Sequence, residues 1–520
     1  MINLGDLRVR SKERLVNMQW ELTIVYSCLL VAVSILFLRR QQRRSATGSL
    51  PPGPPGWPVF GNMFDLGSMP HKTLAGLRKD YGPVVWLRIG SINTMVLLTA
   101  EAATELFKNH DANFAERTIT EVMKVHDFNK AAVSLAPYGQ YWRVMKRVMT
   151  VEMLVQKKIN ETTAIRRRCI AEMVEWIGKE ATVDSTVSPA GIHVARYVFL
   201  ASFNMLGNLM LSRDLVSPES AEGSEFFSAM IELMEWSGHP NIVDLFPWLK
   251  RLDPQGLRRK AEEGMGRTMK IVGQFVAERL KEQNVAKGNK DFLEVLLASE
   301  GNGGDKISDH DLNIMIMEVF LAGSETTSSS TEWAMVELLS HPEVMTKAKN
   351  ELAQVVGKSN KFDENHIENL PYLQAVIKET LRLHPPIPFL VPRKAIQNAN
   401  FMGYKIPKNT QVFVNTWAIG RDPACWDDPL SFKPERFLGS KIDYKGQHYE
   451  LIPFGAGRRM CAGIPLAHRM LHLVLGSLLH EFDWEVNEIG RKGLVDSRER
   501  MGVTVRKLVP LEAMPTKCSI

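Results

Sequence analysis

One cysteine stands inside the glycine-bearing run PFGAGRRMCAG, Pro453 to Gly463, and a helical pattern starts directly after it. Glycine lets backbone approach another surface or take positive φ. A thiolate at a helix start gains amide donors and a favourable dipole, both of which lower its pKa. Cys461 therefore suits metal ligation better than nucleophilic catalysis, because no base stands at an obvious spacing beside it. A buried structural thiol is the other generic reading. Two more groupings carry chemistry. Glu379 and Arg382 are three apart and share a helix face, although such a pair alone is ordinarily a surface ion pair of little worth. In Ala322-Gly323-Ser324-Glu325-Thr326-Thr327, small residues adjoin a carboxylate and hydroxyls. Taken alone, Thr326 reads as a helix threonine bonded to its own backbone.

These groups need positioning elements. The second grouping lies in a stretch capped at Ser308, with Asp311 three residues on in capping-box fashion, that runs to Ser340 before His341-Pro342. Nearly every position from Ile314 to Ala322 is apolar, so this helix should cross the protein interior. Glu318, Glu325 and the serine/threonine run leave too short an apolar stretch for a membrane span. Glu379 and Arg382 lie on a helix opening after Pro371 and ending before His384, and another helix should cover Ile464 to about Leu479. Strand candidates are VVWLRIG and NTMVLLT, joined at Gly90-Ser91-Ile92, and a second strand-rich stretch from Phe389 to Phe413. Loops are expected near 213–224 and at 301–306. The expected fold class is mainly α: one helical body with a small β-rich lobe.

Composition narrows the rest. The 520 residues carry a net charge of +6, partly concentrated at Arg39, Arg40, Arg43 and Arg44. No basic stripe with interleaved aromatics appears, which argues against nucleic acid as a partner. Before that cluster, the uncharged run Leu22 to Leu38 is seventeen residues long, at the short end for a membrane helix. Trp20 suits an interface, and arginine after the span favours a cytosolic body. No small-x-small site closes the run as a cleaved signal peptide requires. The reading is thus an N-terminal tail (1–21), a transmembrane signal anchor (22–38), a basic and proline-rich hinge (39–58, with PPGPPGWP as a stiff connector) and a catalytic domain (59–520). The five cysteines are scattered and include no CxxC pair, which excludes a disulfide framework or structural zinc.

The order Phe454, Gly455, Gly457, Arg459, Cys461, Gly463 resembles the haem-binding loop of the cytochromes P450. The resemblance extends over nearly the whole chain and implies the cytochrome P450 fold with haem b held by the Cys461 thiolate, which pushes electron density toward iron. It further implies that Phe454 packs by the cysteine loop and that Arg459 pairs with a haem propionate. Trp142 resembles the family tryptophan at a propionate, and Arg393 of FLVPR resembles another propionate partner. Where the family usually has arginine after that tryptophan, this chain has Lys146 with Arg147 beside it, so both are candidates. Glu379 and Arg382 match the family's Glu-x-x-Arg helix, with Arg436 of PERF as third member of a structural lock. The 322–327 segment resembles the oxygen-activation motif, in which Thr326 would organise oxygen and water while Glu325 relays protons.

By the same resemblance the chain is a monooxygenase in the endoplasmic reticulum membrane, single-pass, with its catalytic domain in the cytosol. Electrons would come from NADPH through a separate cytochrome P450 reductase, since no nicotinamide or flavin fingerprint is present; cytochrome b5 is a further candidate partner. Segments 118–133, 220–250, 314–323, Pro386–Leu390 and Arg500–Val503 are the implied pocket walls. They are rich in Ile, Leu, Val, Met and Phe and favour a lipophilic small molecule, although many of these side chains could be helix core. The pattern looks like the plant group of geraniol hydroxylases and iridoid oxidases. That implies a monoterpenoid or iridoid substrate, with a sesquiterpenoid, fatty acid, phenolic or alkaloid as alternatives. A binding-only haem protein would not need the Glu325–Thr326 relay.

Overall fold

In the computed structural model, residues 20–34, 50–181, 191–281, 291–299, 306–357 and 359–518 are described. Most of the expected tail, the arginine cluster at 39–44, and residues 35–38 and 301–305 lie outside them. Val84–Ile89 and Ile92–Leu97 form an antiparallel hairpin with Ile89 opposite Ile92. Gly90 makes the turn at φ 57°, a left-handed conformation that glycine adopts without strain. The second strand pairs in parallel with Gln411–Val414, and Arg393–Lys394 and Glu116–Arg117 complete a five-stranded sheet. The stretch read as strand-rich between 389 and 413 thus supplies two strands to this sheet, and two more, Ala399–Phe401 and Tyr404–Ile406, to a hairpin of their own.

The rest is mainly helical. Asp309–Ser340 is a single 32-residue helix whose first turn is capped by Ser308, which accepts the Asp311 amide at 3.1 Å. Leu312 and every residue from Ile314 to Leu321 are buried, because helices Val194–Leu211, Leu257–Lys281, Pro371–Leu383 and Ile464–Glu481 pack around it. Val194–Leu211 is long and apolar enough to cross a membrane, but it is a core helix. Trp20–Ser34 is apolar and exposed along nearly its whole length. The Pro51–Pro58 connector is tied to the body: Trp86 donates to the Pro52 carbonyl at 2.8 Å, and a Cβ on Gly53 would stand 1.8 Å from the Trp86 oxygen.

The C-terminal strands went unread in the sequence. Glu512–Lys517 lies between Ile192–His193 and Phe482–Glu485, and Glu499–Arg500 pairs with Arg506–Lys507. Several of these elements are only two residues long, too short for alternation to reveal them.

Candidate active site

The cysteine loop is closed by its own backbone. Cys461 donates its amide to the Phe454 carbonyl at 3.1 Å, and Gly455 and Gly457 hold φ of 72° and 68°. A Cβ at Gly457 would stand 2.4 Å from an Asp111 oxygen, so glycine is required there for approach as well as conformation. The ring of Phe454 leans on Tyr444, 5.4 Å between centroids, and Leu390 lies against Gly455. The Cys461 sulfur accepts the Gly463 amide at 3.3 Å at the start of helix Ile464–Glu481. Burial raises its pKa; that amide and Lys146 oppose the rise. The side chain is nonetheless reachable by water. Both statements hold if the sulfur is enclosed by protein but faces an interior space.

The basic residues divide into a buried set and an exposed one. Arg117, Arg393 and Arg459 are all buried. Arg459 donates to the carbonyls of Ala115 (2.9 Å), Val133 (3.3 Å) and Ala136 (2.7 Å), and its guanidinium lies 4.4 Å over the Trp142 ring. Trp142 donates its indole N–H to Val133 at 3.1 Å. Arg393 pairs with Asp111 at 2.7 Å and donates to Ala456. Arg117, which the sequence reading missed, donates to Ser134 (2.9 Å) and Val391 (2.6 Å). Lys146 reaches the Met460 carbonyl, next to Cys461, at 2.6 Å, whereas Arg147 is exposed. Lys146 is therefore the one of the two that faces the loop.

Burial pushes Arg117 and Arg393 down, and Arg459 to about 10; mutual repulsion adds to the effect on Arg117. Among the described residues, neither Arg117 nor Arg459 has a carboxylate within ion-pair distance. Buried guanidiniums bonded to neutral carbonyls, with Glu116, Glu318 and Asp111 acting only from beyond ion-pair distance, leave positive charge under-compensated. A cysteine sulfur that accepts the Gly463 amide, beside such a cradle, has the donor set that a doubly anionic, sulfur-ligated haem needs, so the residues fit that group.

The 322–327 segment presents Ala322 exposed in the middle of an otherwise buried helix, directly after buried Leu321. Thr326 donates to the Ala322 carbonyl at 2.6 Å. Glu325 is buried, and Arg506 stands 2.9 Å from it without hydrogen-bond alignment, so both carboxylate oxygens lack a hydrogen-bond partner. Burial raises the Glu325 pKa and Arg506 opposes it. Arg506 is a second residue that sequence reading missed; the partners are 181 positions apart and share no local signal.

Glu379, Arg382 and Arg436 form one network. Arg382 holds both Glu379 oxygens at 2.7 Å, Arg436 adds a third contact at 3.0 Å, and the Lys433 amide a fourth at 2.8 Å. The remaining N–H groups of Arg382 meet the carbonyls of Gly420, Pro429 and Ser431.

The segments read as pocket walls meet one another. Val503 donates to Met234 at 3.0 Å, Val505 to Pro386 at 2.8 Å, and Glu121 to Asp244 at 2.6 Å. Much of 314–323 is core instead of wall. Phe320, for example, packs against Phe203 with 4.5 Å between centroids.

Comparison with known proteins places this geometry. Residues 51–510 match the family model described as Cytochrome P450. The chain is 54% identical to Cytochrome P450 76A2 of Solanum melongena, over 96% of this chain and 100% of that protein. It is 49% identical to Iridoid oxidase of Catharanthus roseus, over 95% of this chain and 97% of that one. A solved zebra fish cytochrome P450 with progesterone superposes with a TM-score of 0.72 at 26% identity, covering 86% and 99% of the two chains.

Proposed function

The chain belongs to the cytochrome P450 family and is a haem-thiolate monooxygenase, and we propose that it inserts oxygen from O2 into a monoterpenoid or iridoid. The observation that carries the substrate class is the 49% identity to an iridoid oxidase across nearly the full chain. The apolar wall segments 220–250, Pro386–Leu390 and Arg500–Val503 agree with a lipophilic guest.

A cysteine-ligated haem, when bound, supplies reductive activation of dioxygen and transfer of one oxygen atom to carbon. The chain's own residues do the rest. Cys461 would ligate the iron, with the Gly463 amide and Lys146 offsetting part of the effect of burial on its sulfur. Arg117, Arg393, Arg459 and Lys146 would hold the haem carboxylates, with Trp142 backing Arg459. Exposed Ala322 would leave room for oxygen, whereas Gly323 serves close packing, since a Cβ there would stand 2.7 Å from Leu206. Thr326 offers a hydroxyl that can leave its backbone bond to donate to oxygen, and Glu325 supplies protons from a buried site opposite Arg506. The Glu379–Arg382–Arg436 network would lock the fold.

Electrons come from an NADPH-cytochrome P450 reductase in this proposal, and the body sits on the cytosolic side of the endoplasmic reticulum membrane. The exposed apolar helix Trp20–Ser34 and an aromatic patch next to the hinge support membrane residence. In that patch Trp57 (59% exposed), Phe64 (62%) and Trp248 (76%) surround the contact of Phe60 with Phe246 at 5.7 Å.

The test is product formation by membranes carrying this chain and a plant reductase, with NADPH and a pool of geraniol, nepetalactol, sesquiterpenes, fatty acids and alkaloids. Haem content is fixed first from the thiolate-type CO spectrum, which a Cys461→Ser control should lack. An oxidised monoterpenoid or iridoid is expected. Product only from another class would overturn the substrate assignment and leave the chemistry in place.

A further inference from the structure

The amides of Val133 and Ser134 point away from their own loop and into one carboxylate. Val133 donates to one Glu318 oxygen and Ser134 to the other, both at 2.6 Å. Glu318 sits in the interior helix, one turn before Ala322, and is buried. The carbonyls of the same loop point the opposite way: Val133 accepts from both Trp142 and Arg459, Ser134 from Arg117, and Ala136 from Arg459. The peptide group joining Val133 to Ser134 is therefore polarised from both ends, with a carboxylate on its N–H and a guanidinium and an indole on its C=O. Hydrogen bonds in such a chain strengthen one another, and those made to charged groups are the strong ones.

We propose that Glu318 is the positioning residue of the haem cradle. Through the 133–134 peptide it fixes Arg459 and Trp142, and through the Ser134 carbonyl it fixes Arg117, so that all three meet the haem carboxylates ready-placed. This rests on the haem-thiolate reading of the site. The carboxylate also supplies negative charge to a cluster in which Arg117 and Arg459 have no ion-pair partner among the described residues. Lys146 shares that field, since Glu318 is among the charges acting on it. Glutamine at 318 would offer one acceptor where two amides need one each, and its own N–H2 would face the second amide. It would also remove the counter-charge. Glu332, fourteen residues further along the same helix, is a matched control: it is buried too, but its carboxylate accepts the Leu511 amide and, among the described residues, no amide of 133–136.

The experiment follows haem transfer from the full-length holoprotein to excess apomyoglobin in the parent, Glu318→Gln, Glu318→Asp and Glu332→Gln. A parent without the thiolate-type CO band would refute the haem-thiolate reading itself, before any variant is compared. With that band present, Glu318→Gln should lose haem roughly tenfold faster or more, the scale of one charged hydrogen bond. Glu318→Asp should fall between it and the parent, and Glu332→Gln should match the parent. A Glu318→Gln rate within twofold of the parent overturns the proposal, as does equal acceleration by Glu332→Gln. If Glu318→Gln does not accumulate, Glu318→Asp decides: faster loss supports the proposal, and a parent-like rate overturns it. Failure of both to accumulate while Glu332→Gln does also overturns it, because a positioning role leaves a folded protein.

Discussion

Two of the buried charge clusters in this molecule are built on opposite principles. Around Glu379 both carboxylate oxygens and the Arg382 guanidinium are engaged, with Arg436 as an outer partner. Around Arg117, Arg393 and Arg459 there are three buried guanidiniums, and among the described residues only Arg393 has a carboxylate within ion-pair distance. In the first arrangement every group has its partners within the chain, so it leaves nothing for a ligand to satisfy. The second keeps positive charge in reserve at a cost in stability, and that reserve is what an anionic group bound there would neutralise. A paired buried ion is thus a structural device, whereas an under-paired one beside a reactive sulfur is a binding device.

The sharpest way to break that contrast is to remove one partner from the complete cluster. Arg382→Ala leaves the buried Glu379 charge with Arg436 and the Lys433 amide, both on one oxygen, and should cost about 3–5 kcal/mol. The measurable result is a fall in thermal midpoint with little haem-loaded protein recovered. The same operation in the under-paired cluster should behave differently. Arg117→Met removes two hydrogen bonds to carbonyls but also relieves desolvation and repulsion from Arg393 and Arg459. Its midpoint without haem should fall by no more than about 1–2 kcal/mol equivalent, while haem is lost several-fold faster to apomyoglobin. If Arg117→Met destabilises the apoprotein as much as Arg382→Ala, the distinction between the clusters fails.

Glu332 sharpens the comparison from the acidic side. Burial lifts its pKa from the ordinary 4.5 to about 7, against the Leu511 amide and the charges of Lys507 and Arg506, while Glu325 adds to the rise. The unfolded chain then releases this proton first. Stability from this group is therefore full below about pH 4.5 and declines as the pH rises to about 7. Glu332→Gln has no such decline. Its midpoint relative to the parent should improve from pH 5 to pH 7.5, by at most about 3 kcal/mol. A constant difference across that range would show that Glu332 does not titrate there.

What the sequence alone determined is whatever local spacing encodes. The interior helix was legible because apolar residues fill every side of it from Ile314 to Ala322 and Ser308 caps it. The Glu379–Arg382 contact was legible because three residues bring two side chains onto one helix face. The cysteine loop was legible because its glycines and Cys461 act within eleven residues. Tertiary structure decided the rest. It brought Arg117 to Val391 and Ser134, turned Lys146 but not Arg147 toward the Met460 carbonyl, set Arg506 against Glu325, and aimed two loop amides at Glu318. It also showed that much of the 314–323 wall is packed core. Glu318 was visible in the sequence only as a charge that shortened an apolar run. Its partners lie more than 180 residues away. Helical periodicity says which face a residue occupies; which backbone that face meets depends on how distant segments pack together.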